Sequence, residues 1–125
     1  MTEPKKILVA EDDDVTRQLM CMTLERQGYA VTTAEDGIKA YELALTWRPD
    51  LIITDVSMPG ADGAHFVRRV RDTGELVATP IIVTTGYGTG SAAFTLSTGA
   101  DAYEPKPVNP VRLLDTVRRL LAEGS

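Results

Sequence analysis

The sequence has little cysteine, no long hydrophobic run and no excess of basic charge. Its single cysteine, Cys21, rules out an internal disulfide. No apolar run approaches the roughly 20 residues that a membrane-spanning helix requires. Lysine and arginine number 13 against 18 aspartate and glutamate, a net charge of −5 that argues against direct contact with nucleic acid. The first apolar run begins at Ile7, too early for a signal peptide, so we expect a cytoplasmic domain without membrane contact.

The size and composition indicate one ordinary globular domain. The chain has 125 residues, close to the commonest domain size, and this length supports one hydrophobic core rather than two. Apolar residues make up 43% and charged residues 25%, which is typical of a globular protein in water. We find no repeat or linker, and we expect residues 1–125 to form a single domain.

Short apolar runs alternate with segments of helical period, a pattern that predicts an α/β fold. Right-handed crossovers would then give a doubly wound, five-stranded parallel sheet of order 2-1-3-4-5. The five predicted strands cover residues 7–10, 30–33, 51–54, 81–84 and 100–103. The five predicted helices lie near residues 15–27, 37–47, 63–72, 90–98 and 110–122.

Two of these helices differ in how clearly the sequence specifies them. In the first, we expect Val15, Leu19, Met22 and Leu24 to face the core. The fourth, near residues 90–98, has weak helix formers, no charge and three glycines close to its start. We therefore expect the fourth predicted helix to move easily.

Carboxylates follow two strands that the predicted order makes neighbours. Asp55 ends the third strand, and Glu11, Asp12 and Asp13 directly follow the first. Ligands of open α/β sheets gather at the carboxyl ends of the strands, so Asp55 is the candidate reactive group. The simpler alternative is that an aspartate after a strand only starts a turn.

The same edge of the sheet should collect the other groups that phosphoryl transfer needs. Three clustered carboxylates repel one another without a cation, and all-oxygen sites suit Mg²⁺. The fourth strand ends in Thr84 and Thr85, and Lys106 follows the fifth. A carboxylate nucleophile, a divalent cation, a hydroxyl and an ammonium together can accept a phosphoryl group and neutralise its oxygens.

Four segments give the chain a clear resemblance to a known family along nearly its whole length. They are ILVAEDDDVTR, LIITDVSMPGADG, PIIVTTGYG and GADAYEPKP, in this order and spacing. The sequence resembles the receiver domains of two-component response regulators, which belong to the CheY-like superfamily with a flavodoxin-like fold. The resemblance implies a phosphoprotein of signal transduction or a phosphorelay, rather than an enzyme acting on other substrates.

The resemblance also implies roles for individual residues. Asp55 would be the phosphorylated residue, and Thr85 and Lys106 would contact the phosphoryl oxygens. Asp12, Asp55 and the Ser57 carbonyl would hold Mg²⁺, with Glu11 acting through water in place of the more frequent aspartate.

A conformational switch is part of what the resemblance implies. Thr85 would move toward the phosphoryl group while Tyr103 turns inward, altering the surface of the fourth helix, fifth strand and last helix. Tyr103 could instead be a half-buried strand aromatic without a switching role. The Lys106–Pro107 bond would be cis.

Partners and competing functions complete the expectations. The phosphodonor would be a sensor histidine kinase or a histidine phosphotransfer protein, and the output a downstream protein target. One alternative is a phosphohydrolase that passes substrate phosphate through Asp55; such enzymes commonly use a second carboxylate two residues later, where this chain has Ser57. Another is an interaction module of the same fold that works without phosphorylation.

Overall fold

A computed structural model describes residues 3–56, 63–85 and 99–123 of the chain. The described strands are β1 (Lys6–Ala10), β2 (Ala30–Ala34), β3 (Leu51–Asp55), β4 (Ile81–Thr85) and β5 (Ala102–Pro105). The described helices are α1 (Asp14–Glu25), α2 (Gly37–Trp47), α3 (Gly63–Arg71) and α4 (Pro110–Glu123). The fourth predicted helix, residues 90–98, lies outside the described residues.

The strands form one parallel sheet in the order β2-β1-β3-β4-β5, so the predicted fold class and strand order are confirmed. The register of the central pair places Ala10 of β1 beside Thr54 of β3. The next residues along these strands are Glu11 and Asp55. The sheet therefore brings two carboxylates together at its carboxyl edge.

Alternate residues of the central strands pack against helices on opposite faces of the sheet. Leu8 and Ile52 belong to a buried cluster with Phe66 of α3. Ile7 and Leu51 belong to a second cluster, with Leu113 of α4. Because β3 is covered on both faces, all five of its residues are buried, which explains the uninterrupted apolar run of Leu51, Ile52 and Ile53.

The first helix is oriented differently from the prediction. Val15, Leu19 and Met22 are 75%, 41% and 51% exposed, and the buried residues are Met20 and Leu24. The helix carries apolar residues on two faces, so periodicity alone does not determine which face meets the sheet. The expectation that Val15, Leu19 and Met22 face the core is wrong.

The fifth strand begins two residues later than predicted, at Ala102 rather than residue 100. The side chain of Asp101 accepts a hydrogen bond from the Ile81 N–H at 2.8 Å, and its own N–H donates to the Ile81 carbonyl at 2.8 Å. Asp101 thus caps the start of β4, and the regular β5 ladder begins at Ala102.

The described helices are short, the longest being α4 with 14 residues. Within the described ranges, none has the length and apolar character that a membrane span requires.

Candidate functional site

Four ionisable side chains meet at the carboxyl edge of the sheet. Glu11, Asp12 and Asp55 each contribute one carboxylate oxygen, and these oxygens lie within 4.8 Å of one another. The Lys106 Nζ lies 2.9 Å from Glu11 Oε1 and 2.9 Å from Asp55 Oδ2. The structure therefore brings together residues from three separate segments of the chain, as the strand order predicts.

Hydrogen bonds to backbone groups hold Glu11 and Lys106 in place. The Glu11 N–H donates to the Ala34 carbonyl at 2.9 Å, which ties the end of β1 to the end of β2. The Glu11 carboxylate accepts from the Asp13 N–H at 3.0 Å. On the other side of the site, the Lys106 N–H donates to the Thr85 carbonyl at 2.7 Å. The site is thus built from ordered strand ends.

Burial gives the carboxylates of this site different environments. Glu11 is fully buried and Asp55 is 5% exposed, whereas Asp12 is exposed to solvent. Burial raises the pKa of Glu11, and the neighbouring Asp55 charge adds to this rise. The hydrogen bond from the Asp13 N–H and the contact with the Lys106 ammonium lower the pKa without cancelling this rise.

Lys106 is held in its charged form by the same arrangement. Burial on its own lowers the pKa of the lysine, but the hydrogen bond to Asp55 and the ion pair with Glu11 outweigh this effect, and the net pKa is raised. An ammonium group between two buried carboxylates partly compensates their charge. With all four groups ionised, three carboxylates and one ammonium leave two negative charges at the site.

The remaining charge and donor chemistry fit a divalent cation. Glu11 Oε1 is buried and, although close to Lys106, has no partner in hydrogen-bond geometry within the described ranges. Carboxylate oxygens are hard donors of the kind that Mg²⁺ prefers. Glu11, Asp12 and Asp55 therefore form a set of side chains that could hold this ion.

The other predicted site residues lie nearby or outside the described ranges. Thr85 ends β4 and is 5% exposed, one residue beyond Thr84, which pairs in register with Asp55. Tyr103 on β5 is 38% exposed. The Lys106–Pro107 peptide bond is cis, as the resemblance implied. Ser57 lies outside the described residues, so its carbonyl is not placed.

Two residues near the site were not among the candidates identified from the sequence. Arg17 of α1 donates from Nη1 to the Glu11 carbonyl at 3.0 Å. Glu104 of β5 is 6% exposed and accepts a hydrogen bond from Thr116. In the sequence, Arg17 is only an arginine six residues after Glu11, and Glu104 is only a glutamate directly after the fifth predicted strand. Neither feature is specific enough to indicate a site.

Comparison with known proteins identifies one family. The family model described as the response regulator receiver domain matches residues 7–118. The response regulator MprA of Mycobacterium sp. (strain KMS) is 39% identical over 123 residues, covering 98% of this chain and 53% of the relative. The chain thus spans about half the length of the curated relatives it matches.

Solved structures give the same result. A putative response regulator from Chloroflexus aurantiacus superposes with a TM-score of 0.91 at 32% identity, covering 95% of this chain and 98% of that one. The receiver domain of a sensor histidine kinase from Pseudomonas aeruginosa PAO1 has a TM-score of 0.88 at 29% identity, with the same coverage. Its crystal structure has a magnesium ion coordinated in the active site cleft.

Proposed function

Because this chain belongs to the response regulator receiver domain family, we propose that Asp55 accepts a phosphoryl group from a phosphohistidine of its partner. The partner would be a sensor histidine kinase or a histidine phosphotransfer protein. The observation that carries the proposal is the position of the Lys106 Nζ, 2.9 Å from both the Asp55 and Glu11 carboxylates. An ammonium at this distance can neutralise oxygens of a group attached to Asp55.

The proposed transfer uses side chains at the carboxyl edge of the sheet. An Asp55 carboxylate oxygen forms the new P–O bond while the P–N bond to the donor imidazole breaks and its electron pair stays with the imidazole. The Lys106 ammonium neutralises phosphoryl oxygens, and the Thr85 hydroxyl donates to one of them. Loss of the phosphoryl group to water returns Asp55 to its carboxylate.

Mg²⁺ is the cofactor that this proposal requires. Asp12 and Asp55 would hold the ion together with the Ser57 carbonyl, and Glu11 would act through a water molecule. When bound, the ion supplies positive charge that offsets the negative charge of the phosphoryl group.

The proposed output is a change at the surface formed by the fourth predicted helix (residues 90–98), by β5 and by the last helix, α4. Tyr103 on β5 is 38% exposed, so its side chain could become more buried by turning inward. Thr85 and Tyr103 would be the switch residues, and a downstream protein would bind the altered surface.

A face for the phosphodonor lies next to the candidate site, on α1. Val15, Leu19 and Met22 are exposed and spaced by four and three residues, so they form one apolar stripe on the outer side of the helix. Val15 lies in the first turn of α1, close to the acidic residues. A stripe with this spacing suits packing against a helix of the donor.

The proposed domain bounds and cellular compartment are those expected from the sequence. Residues 1–125 would act as one receiver domain. The cytoplasm is the proposed compartment, where a lone cysteine such as Cys21 stays reduced.

Phosphorylation by a small donor tests the proposal. With acetyl phosphate and Mg²⁺, the intact mass of the wild-type chain should increase by one phosphoryl group, and Asp55→Asn should abolish the increase. Asp72→Asn is the matched control, because Asp72 is exposed at the end of α3, away from the site.

The mass measurement, together with assays of Mg²⁺ binding and of phosphate-ester turnover, separates the competing functions. An unmodified wild-type chain that also fails to bind Mg²⁺ would support a phosphorylation-independent interaction module. Sustained turnover of an unrelated phosphate ester would support the phosphohydrolase. Ser57 provides no carboxylate at the position where such enzymes commonly have one, so no observation favours this alternative.

A further inference from the structure

Arg17 lies behind the acidic residues and contacts their backbone. Its side chain is 16% exposed, and Nη1 donates to the Glu11 carbonyl at 3.0 Å. Nη2 forms an ion pair with the Asp14 carboxylate on the same helix. The Arg17 N–H donates to the Asp13 carbonyl at 2.9 Å, so the base of the side chain is fixed as well.

The contact with the Glu11 carbonyl restrains the residue that follows. This carbonyl belongs to the planar peptide unit joining Glu11 to Asp12, so fixing its direction also fixes where the Asp12 side chain starts. The Glu11 N–H is bonded to Ala34, and the Glu11 carboxylate to the Asp13 N–H. In the described structure, Arg17 is the side chain that holds the remaining polar group of the Glu11 backbone.

We propose that Arg17 is a positioning residue that orients the Glu11 and Asp12 carboxylates for a divalent cation. The inference rests on the proposed function, because the cation belongs to the phosphoryl-accepting site. Arg17 touches neither carboxylate of the acidic pair, and acts on them through the backbone between them. Removing such an orienting group typically weakens metal binding by about 10-fold to 100-fold.

Charge and positioning predict opposite effects when Arg17 is removed. A nearby positive charge repels a divalent cation, so removing the charge alone would strengthen Mg²⁺ binding. Loss of positioning weakens it. The Asp14 carboxylate offsets the guanidinium charge at close range, so the positioning effect should dominate.

Calorimetric titration with Mg²⁺ tests the inference. We expect Arg17→Met to weaken binding about 10-fold or more, and Arg17→Lys to recover part of the loss, because one amine reaches either partner but not both. Arg118→Met is the matched control: Arg118 is 54% exposed on α4 and pairs with Asp115, and this variant should bind like the wild type. Saturating Mg²⁺ should restore the rate at which Arg17→Met accepts a phosphoryl group from acetyl phosphate.

Unchanged or tighter Mg²⁺ binding by Arg17→Met would overturn the inference. So would equal weakening by Arg118→Met, or a rate that stays low at saturating Mg²⁺. If thermal unfolding shows that Arg17→Met is not folded, Arg17→Lys decides the question by the same titration. A wild-type chain that binds Mg²⁺ without accepting a phosphoryl group would contradict the proposed function. The Mg²⁺ titration would still test whether Arg17 orients the carboxylates.

Discussion

Two buried polar side chains lie side by side beneath α4 with incomplete hydrogen bonding. Thr84 and Glu104 pair in register on β4 and β5, and Thr84 is fully buried. Neither Thr84 Oγ1 nor Glu104 Oε1 has a hydrogen-bond partner in the described part of the chain. Glu104 Oε2 accepts from the Thr116 hydroxyl at 3.0 Å, and Arg112 lies 3.5 Å from Oε1. A buried hydroxyl without a partner reduces stability.

We predict that Thr84→Val stabilises the protein. Valine has nearly the shape of threonine, and it removes a buried hydroxyl that makes no hydrogen bond within the described residues, so the free energy of unfolding should rise by about 1 kcal/mol. Urea unfolding at neutral pH measures the change. Thr116→Val is the contrasting variant, because it removes a hydrogen bond from buried Glu104 and should lower the free energy by about 1 kcal/mol. A loss of stability in Thr84→Val would show that the hydroxyl has a partner in solution.

Among the elements, the central strands could be predicted well and α1 only in part. The apolar run at β3 fits a strand buried on both faces, and few other structures accommodate it. In α1, the pairs Leu19 with Met22 and Met20 with Leu24 fit a helical stripe equally well. Only packing against the sheet determines that Met20 and Leu24 are buried. The predicted start of β5 was wrong for a related reason. Asp101 caps β4 through its contact with Ile81, a residue that is distant in the sequence.

We predict that the exposed apolar stripe of α1 contacts the histidine kinase. Leu19→Lys should slow phosphoryl transfer from a histidine kinase that phosphorylates the wild-type chain by about five-fold or more, because it places a charge in an apolar contact. Its rate with acetyl phosphate should not change, since Leu19 is 41% exposed and lies on the outer face of α1. Radiolabel transfer from the phosphorylated kinase measures the first rate.

Val77→Lys provides the control for this surface. Val77 is 51% exposed but precedes β4, at the opposite edge of the sheet from Asp55. It should leave both rates unchanged. Equal slowing by the two variants, or no slowing by Leu19→Lys, would place the donor on another face.

For the whole molecule, general rules of parallel sheets account for most of what the sequence predicted. Handedness of the crossovers gave the strand order, and the order placed Asp55 beside Glu11 and Asp12. The sequence did not predict how deeply Glu11 is buried, that Lys106 lies between Glu11 and Asp55, or that Arg17 holds the Glu11 carbonyl. These features depend on side-chain geometry between segments that are distant in the chain.

The proposed function depends on Asp55 being the residue that carries the phosphoryl group. Borohydride reduces an aspartyl phosphate to homoserine, so treating the chain after incubation with acetyl phosphate and Mg²⁺ marks the modified residue. Tandem mass spectrometry then locates it. We predict homoserine at position 55 only when acetyl phosphate and Mg²⁺ were both present before the borohydride treatment. Homoserine at another aspartate, or at none, would contradict it.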